Sequence, residues 1–213
     1  MRGAFLTSYF SLLTSYRSPG YRPSTLNILL MGPPGAGKGT QGALLAQRLG
    51  VPKLATGDLL RDAVTRGTPL GQKAKAVMEA GHLVSDDIIL GVVREELARP
   101  AAKRGVVFDG VVRTVPQAEG VERLLAELGR KLDAVLFFDV TDAEILDRLG
   151  KRRTIEARAD DDPAAVATRL RAYREQTTPV LAWYDARGLV RRVPGLGTVD
   201  DVAERVRRAL DGG

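Results

Sequence analysis

At 213 residues, with 44% hydrophobic and 27% charged side chains, the chain has length for one well-buried core and little more. It has no cysteine and one histidine, His82, which excludes disulfides, thiolate zinc centres and imidazole clusters, so any metal must sit among oxygens, as magnesium does. A formal net charge of +6 suits either simple solubility or a nucleic-acid or polyanionic small-molecule partner, and no apolar run approaches the ~18–20 residues of a membrane span.

Residues 1–25 hold no acidic side chain, are rich in Ser and Thr, and carry half of the Phe and Tyr in the chain. They read as an extension outside the fold, disordered or loosely attached. The same Arg-containing, acid-poor composition suits a transit peptide, while interruptions by Thr, Ser and Tyr argue against a secretory signal.

From Leu26 onward the pattern alternates strand and helix. LNILLM is an apolar run ending in a glycine-rich turn, a buried parallel strand. Residues 38–49 follow as a helix stopped by Gly50 and Pro52. A second helix is capped by Thr68, carries Pro69 in its first turn and buries Leu70, Ala74, Val77 and Met78 before Gly81 ends it. VVFD and AVLFFDV are two more buried strands, each followed by helical sequence. Asp162 and Pro163 open a helix whose apolar side includes Val166, Leu170 and Tyr173, and Pro179 is expected to break or kink it. LVRRV gives a last strand and TVDDVAERVRRAL a closing amphipathic helix. Strands alternating with helices at this density imply a parallel sheet covered on both faces, an α/β fold.

The chemistry is concentrated in MGPPGAGKGTQ. Gly32, Gly37 and Lys38 match G-x-x-x-x-G-K between a strand and a helix, where backbone N–H groups and a helix N-terminus converge on phosphate. Gly39 occupies the position that usually holds Ser or Thr, which moves the hydroxyl to Thr40 and leaves magnesium held mostly through water. Asp109, at the end of VVFD, is placed to orient those waters. A guanine-reading Asn-Lys-x-Asp motif is absent, because the only asparagine is Asn27, ahead of the loop. The length suits a small kinase of a second phosphorylated molecule. Much of the positive excess lies between Arg148 and Arg174, with few aromatic side chains. Nucleic-acid platforms want stacking rings beside their basic groups, so an anionic nucleotide is the better acceptor.

Five separated motifs, GPPGAGKGTQ, ATGDLLRDAV, GHLVSDDI, FDGVVRTVPQAEG and ARADDDPAAVATRLRAYREQT, resemble in order and spacing those of the adenylate kinase family, over essentially residues 26–210. The resemblance implies a phosphate-loop five-stranded parallel sheet, a nucleotide-monophosphate flap at about 55–84 and a short lid at about 149–159. The implied reaction is ATP·Mg plus AMP giving two ADP. It implies ATP contacts from Gly35, Ala36, Gly37, Lys38, Gly39 and Thr40, with Arg148 against ATP and Gly197 beside its adenine. For AMP it implies Thr56 at the base, Arg61 and Arg113 on the phosphate, and His82, Leu83 and Val84 as wall and backbone. Gly110, Val111 and Val112 would form the adjoining turn, and Gln117 would read the adenine edge. Arg158 and Arg169 would clamp the moving phosphoryl group, so the catalytic set is Lys38, Arg113, Arg148, Arg158 and Arg169.

ATP and AMP together carry roughly six negative charges, which magnesium, Lys38 and five arginines are about enough to balance. Between Arg148 and Arg158 there is room for a loop only, and a zinc-bearing lid is excluded by the missing cysteines. The sequence departs from the family at Val111–Val112, where an aromatic and a proline, with a cis bond before the proline, are usual. A cis bond between valines costs about 2.5–4 kcal/mol against about 0.5–1 before proline. The trans form is expected, with Arg113 displaced or the turn rebuilt. Competing readings are a kinase of UMP or CMP on the same fold and a nucleotide-binding regulator without catalysis. A cytoplasmic monomer acting on ATP, AMP and ADP, without nucleic-acid or membrane partners, is the expectation, with an organelle as the alternative if residues 1–25 are a transit peptide.

Overall fold

The apolar runs become five parallel strands, β1 (Leu26–Met31), β2 (Lys53–Ala55), β3 (Gly105–Asp109), β4 (Ala134–Asp139) and β5 (Val190–Pro194). They form one sheet in the order β2-β3-β1-β4-β5. The computed structural model describes residues 25–156 and 159–212. The expectations placed on residues 1–24 and on Arg158 therefore lie outside the described residues. Leu26 to Leu30 pair in register with Gly105 to Asp109 on one side, and Ile28 to Met31 with Ala134 to Phe137 on the other. Patterning missed β2, because KLA is too short to show a period and only its pairing with β3 makes it a strand, and it left the helix Asp86–Ala98 unnamed.

The helices among the described residues are α1 (Lys38–Leu49), α2 (Thr56–Thr65), α3 (Pro69–Glu79), α4 (Asp86–Ala98), α5 (Val115–Glu127), α6 (Asp142–Glu156), α7 (Pro163–Ala172), α8 (Thr178–Asp185) and α9 (Val199–Asp211). Alternation along β1 feeds two apolar layers. Leu29 and Met31 join Phe108 and Val135 beneath α4, α5 and α8, contributed by Val93, Leu125, Val180 and Tyr184. Ile28 and Leu30 join Val107, Leu136 and Phe138 beneath α1 and α9, contributed by Leu45, Val202 and Val206. A central strand buried on both faces has no polar side to spare, which is why it is apolar throughout from Ile28 to Met31.

Local signals set the helix ends. Thr68 Oγ1 accepts from the Gly71 N–H at 3.1 Å at the start of α3, and Gly81, with φ +78°, turns the chain after it. Gly71 also lets α3 lie against α2, because a Cβ there would stand 2.1 Å from the Ala63 carbonyl oxygen. Asp162 caps α7 through Ala164 N–H at 3.0 Å, and Thr198 with Asp201 forms a reciprocal capping box on α9.

Two expectations are corrected. The segment from Leu149, expected as a loop, continues α6 to Glu156. DAEILDRLGKRRTIE has no Gly–Pro break, and its pairs Glu144–Arg148 at 2.8 Å and Asp147–Lys151 at 2.6 Å sit at helical i,i+4 spacing. The break expected at Pro179 is taken up earlier. A π-helical turn, Tyr173–Thr177, separates α7 from α8, and Pro179 lies in the first turn of α8. Proline cannot donate to the carbonyl four residues back, and the wider turn absorbs that loss.

At the amino end of β1, Asn27 is fully buried. Its amide Nδ2 donates to the Lys131 carbonyl at 2.7 Å, its N–H donates to Asp133 Oδ2 at 2.8 Å, and its Oδ1 accepts from Arg130. The functional residues gather at the opposite end.

Candidate active site

The loop from Gly32 to Gly37 joins β1 to α1 at the carboxyl edge of the sheet, where open α/β sheets receive ligands. Gly37, directly before α1, has φ +90°, a conformation an L side chain would strain, and it aims the first free N–H groups of α1 into the loop. Lys38 lies across the loop: its Nζ donates to the carbonyls of Gly32 at 2.6 Å and Pro33 at 2.8 Å. Burial lowers the Lys38 ammonium to about 8; Asp109 opposes that shift, and Arg113, Arg169 and Arg152 add to it.

The loop floors a cleft of about 740 Å³. Loop residues Gly35 to Thr40, together with Thr56, Arg61, the segment His82 to Val84, Asp109 to Arg113, Gln117, Arg148 and Arg169, all line it. Residues scattered over much of the chain are thus brought together. Gly197 stands outside that lining and is exposed; two residues before it, the carbonyl of buried Gly195 accepts from Arg148 Nη2 at 2.8 Å. Arg148 is also held by Glu144 and stands beside Gly37, where a Cβ would be 3.8 Å from its Nη1.

The second half of the cleft is built around Arg113. Its Nε donates to the Gly110 carbonyl at 3.1 Å, and its N–H to Gln117 Oε1 at 2.7 Å. The Val111–Val112 bond is trans, since no cis peptide occurs among the described residues. Arg113 is nonetheless kept in the cleft, with the two valines buried behind it. Burial lowers the Arg113 guanidinium to about 10, with Arg169 adding to the effect and Asp109 opposing it, so it stays a cation at neutral pH. Gln117 is buried and donates from Nε2 to Asp86 Oδ1 at 2.8 Å, while Thr56 Oγ1 donates to the Gly110 carbonyl at 3.1 Å. Both side chains therefore shape the pocket as well as facing it.

Several lining residues were not singled out from sequence. Arg152, one helical turn beyond Arg148 on α6, makes a two-point contact with the buried carboxylate of Asp161. The spacing from Arg148 in DRLGKRR was the available signal. Arg169 meets Asp160 Oδ2 at 3.1 Å and Asp161 Oδ1 at 3.0 Å, and Arg61, which also pairs with Asp58, lies 3.8 Å from Asp160 Oδ2. The two aspartates thus gather guanidiniums from α2, α6 and α7. Gly81 packs α3 against α7, where a Cβ would fall 2.6 Å from the Ala165 carbonyl oxygen and 3.0 Å from Arg169 Cγ. Asp109 faces Lys53 Nζ at 3.8 Å and lies close to the backbone of Gly39, where a Cβ would be 3.6 Å from Asp109 Oδ2.

A doubly covered parallel sheet, a glycine-rich phosphate loop with its lysine, and a cleft walled by arginines define a nucleotide-binding α/β protein of the phosphate-loop class. Comparison with known proteins narrows this. The family model for adenylate kinase matches residues 30–189. An adenylate kinase of Gemmatimonas aurantiaca is 49% identical over 209 residues, covering 86% of this chain and 98% of its own length. One from Thermus thermophilus is 50% identical over 183 residues, covering 86% and 96%, and one from Azorhizobium caulinodans is 46% identical over 193 residues, covering 87% and 99%. The chain belongs to the adenylate kinase family.

Proposed function

We infer that this protein transfers the terminal phosphoryl group of ATP to AMP, giving two ADP. The observation that carries the reading is the continuity of one cleft from the Lys38 loop to the arginine-walled pocket around Arg113. One end suits a triphosphate chain and the other a second phosphate. In the transfer, an oxygen of the AMP phosphate bonds to the γ-phosphorus of ATP as the bond to the β–γ bridging oxygen breaks. The attacking oxygen is already anionic, so no general base is required, and the work is positioning and charge balance.

Roles follow from placement. The loop N–H groups and Lys38 hold the donor phosphates, and Arg148 lies along the donor side. Arg61 and Arg113 take the acceptor phosphate. Arg169 and Arg152, gathered by Asp160 and Asp161, face the group in transit, with Arg158 expected to join them. Guanidinium forks hold phosphate oxygens in pairs, which lysine cannot do. Helices α2 and α3, within about 55–84, are the acceptor flap, and the end of α6 with the segment to residue 159 is the lid that shuts out water.

The residues present fit magnesium. Among the described residues there is no cluster of three or more carboxylate or imidazole ligands. Asp109 and Thr40, which line the same cleft, are the small oxygen donor set expected for an ion that keeps most of its waters and binds phosphates. Bound there with ATP, the ion would neutralise charge on the β- and γ-phosphates. No described helix is long and apolar enough to cross a membrane. We read the chain as a monomer working on free nucleotides in the cytoplasm, where ATP and AMP are abundant.

The test is ADP formation by the purified full chain with ATP·Mg and, separately, AMP, UMP, CMP and GMP. Rapid turnover with AMP alone is expected. Preference for a pyrimidine nucleotide would move the protein to another acceptor, and ATP binding without turnover on any acceptor would make it a binding protein.

A further inference from the structure

Going beyond the roles given above, and resting on the acceptor reading of Arg113, the last residue of the fifth motif, to which no role was given, emerges as the brace of that arginine. Arg113 follows Gly110–Val111–Val112, a turn in which no proline ring fixes a backbone angle. Its N–H is held by Gln117 and its Nε by Gly110, both within four residues in sequence. Its carbonyl is held differently: it accepts from Thr177 Oγ1 at 3.0 Å, across 64 residues.

Thr177 closes the π-helical turn between α7 and α8, where the N–H of Thr178 reaches back five residues to the Tyr173 carbonyl. Single π turns of this kind interrupt helices frequently at functional sites. Thr177 is buried at 6% exposure and lines the cleft. A buried hydroxyl needs a partner, and the carbonyl of Arg113 supplies it. The helix leading into the turn, α7, carries Arg169. The guanidinium assigned to the acceptor phosphate and the one assigned to the group in transit thus stand on segments tied together at Thr177.

We propose that Thr177 is a positioning residue for the acceptor site: its hydroxyl fixes the Arg113 backbone, and with it the reach of the Arg113 guanidinium, relative to Arg169. Without that donor the turn gains freedom on its carbonyl side, and an in-line transfer that depends on placement loses rate.

The experiment compares the full-length wild type with Thr177→Val, which keeps the shape and removes the donor, and Thr177→Ser, which keeps the donor. ADP formation is measured with AMP varied at saturating ATP·Mg and with ATP·Mg varied at saturating AMP, alongside thermal melts. Thr177→Val is expected to lower kcat/KM for AMP about tenfold, through both kcat and KM, with the KM for ATP and the melting midpoint near wild type. Thr177→Ser is expected to restore most of the loss. Wild-type kinetics in Thr177→Val would overturn the proposal. So would equal damage to both nucleotides with a lowered midpoint, or Thr177→Ser being as impaired as Thr177→Val. A wild-type chain that leaves AMP unphosphorylated would instead fell the acceptor reading itself, and this inference with it.

Discussion

Strand β1 carries a buried polar cluster at each end, and the two are built on opposite terms. At the amino end, Asn27 satisfies the Lys131 carbonyl, accepts from Arg130 and takes its own N–H to the Asp133 carboxylate. Among the described residues, one buried donor there, Arg130 Nε, has no acceptor. At the carboxyl end, Lys38, Arg113, Arg169 and Arg152 are near enough to affect one another's charge, and burial lowers Lys38 and Arg113. The carboxylates there, Asp109, Asp160 and Asp161, offset part of this. A fold seeking only stability would neutralise such a cluster or replace it with apolar groups. Cations held together against their own repulsion, in an open cleft, are what an anionic ligand completes. The amino-end cluster stabilises the fold; the carboxyl-end cluster tolerates a cost in order to bind.

That contrast can be broken most sharply at Lys38. Lys38→Met is expected to reduce ADP formation by about 10²–10³-fold, the scale of removing one preorganised electrostatic contact. Its melting midpoint should change little, because relief of a desolvated charge offsets the donor lost to the Gly32 and Pro33 carbonyls. Asn27→Ala is expected to behave in the reverse way. It removes the donor to Lys131 and the acceptor of Arg130, and a loss of about 2–3 kcal/mol in denaturant unfolding should follow. KM for both nucleotides should stay near wild type where the variant is folded. Nucleotide affinity lost in Asn27→Ala, or unfolding of Lys38→Met, would show that the two ends are not separable.

The same contrast explains what could be read from sequence. Signals that act within a few residues were legible: the Thr68 and Asp162 caps, the Gly50 and Gly81 stops, the apolar strands and the phosphate loop. The family motifs carried Arg61, Arg113, Arg148 and Arg169 to one cleft. Features that exist only through distant partners were not legible. β2 has no period of its own and is a strand because β3 lies beside it. Arg152, within the segment expected as a loop, had no role until Asp161 was seen to hold it. Thr177 could be linked to Arg113 only once the π turn was in view. The lid was read as a loop because its length excluded a domain, while the helical pairing of Glu144 with Arg148 and Asp147 with Lys151 pointed the other way.

The smallest expected effect is a pH dependence, and its sign follows from the charge Lys38 must carry. Burial stabilises the neutral amine, so in the free protein the cation predominates below about 8 and is lost above it. Because kcat/KM reports ionisations of the free enzyme, its value for ATP should fall above that pH, approaching about tenfold per unit. Bound phosphates favour the ammonium, so kcat at saturating nucleotide should hold to higher pH. Lys38→Arg tests the assignment: a guanidinium stays charged throughout this range, and whatever rate the variant retains should lose the decline. A wild-type profile flat to pH 10, or one that falls equally in Lys38→Arg, would remove Lys38 as the titrating group and with it the argument that clustered, only partly offset positive charge marks this end of β1.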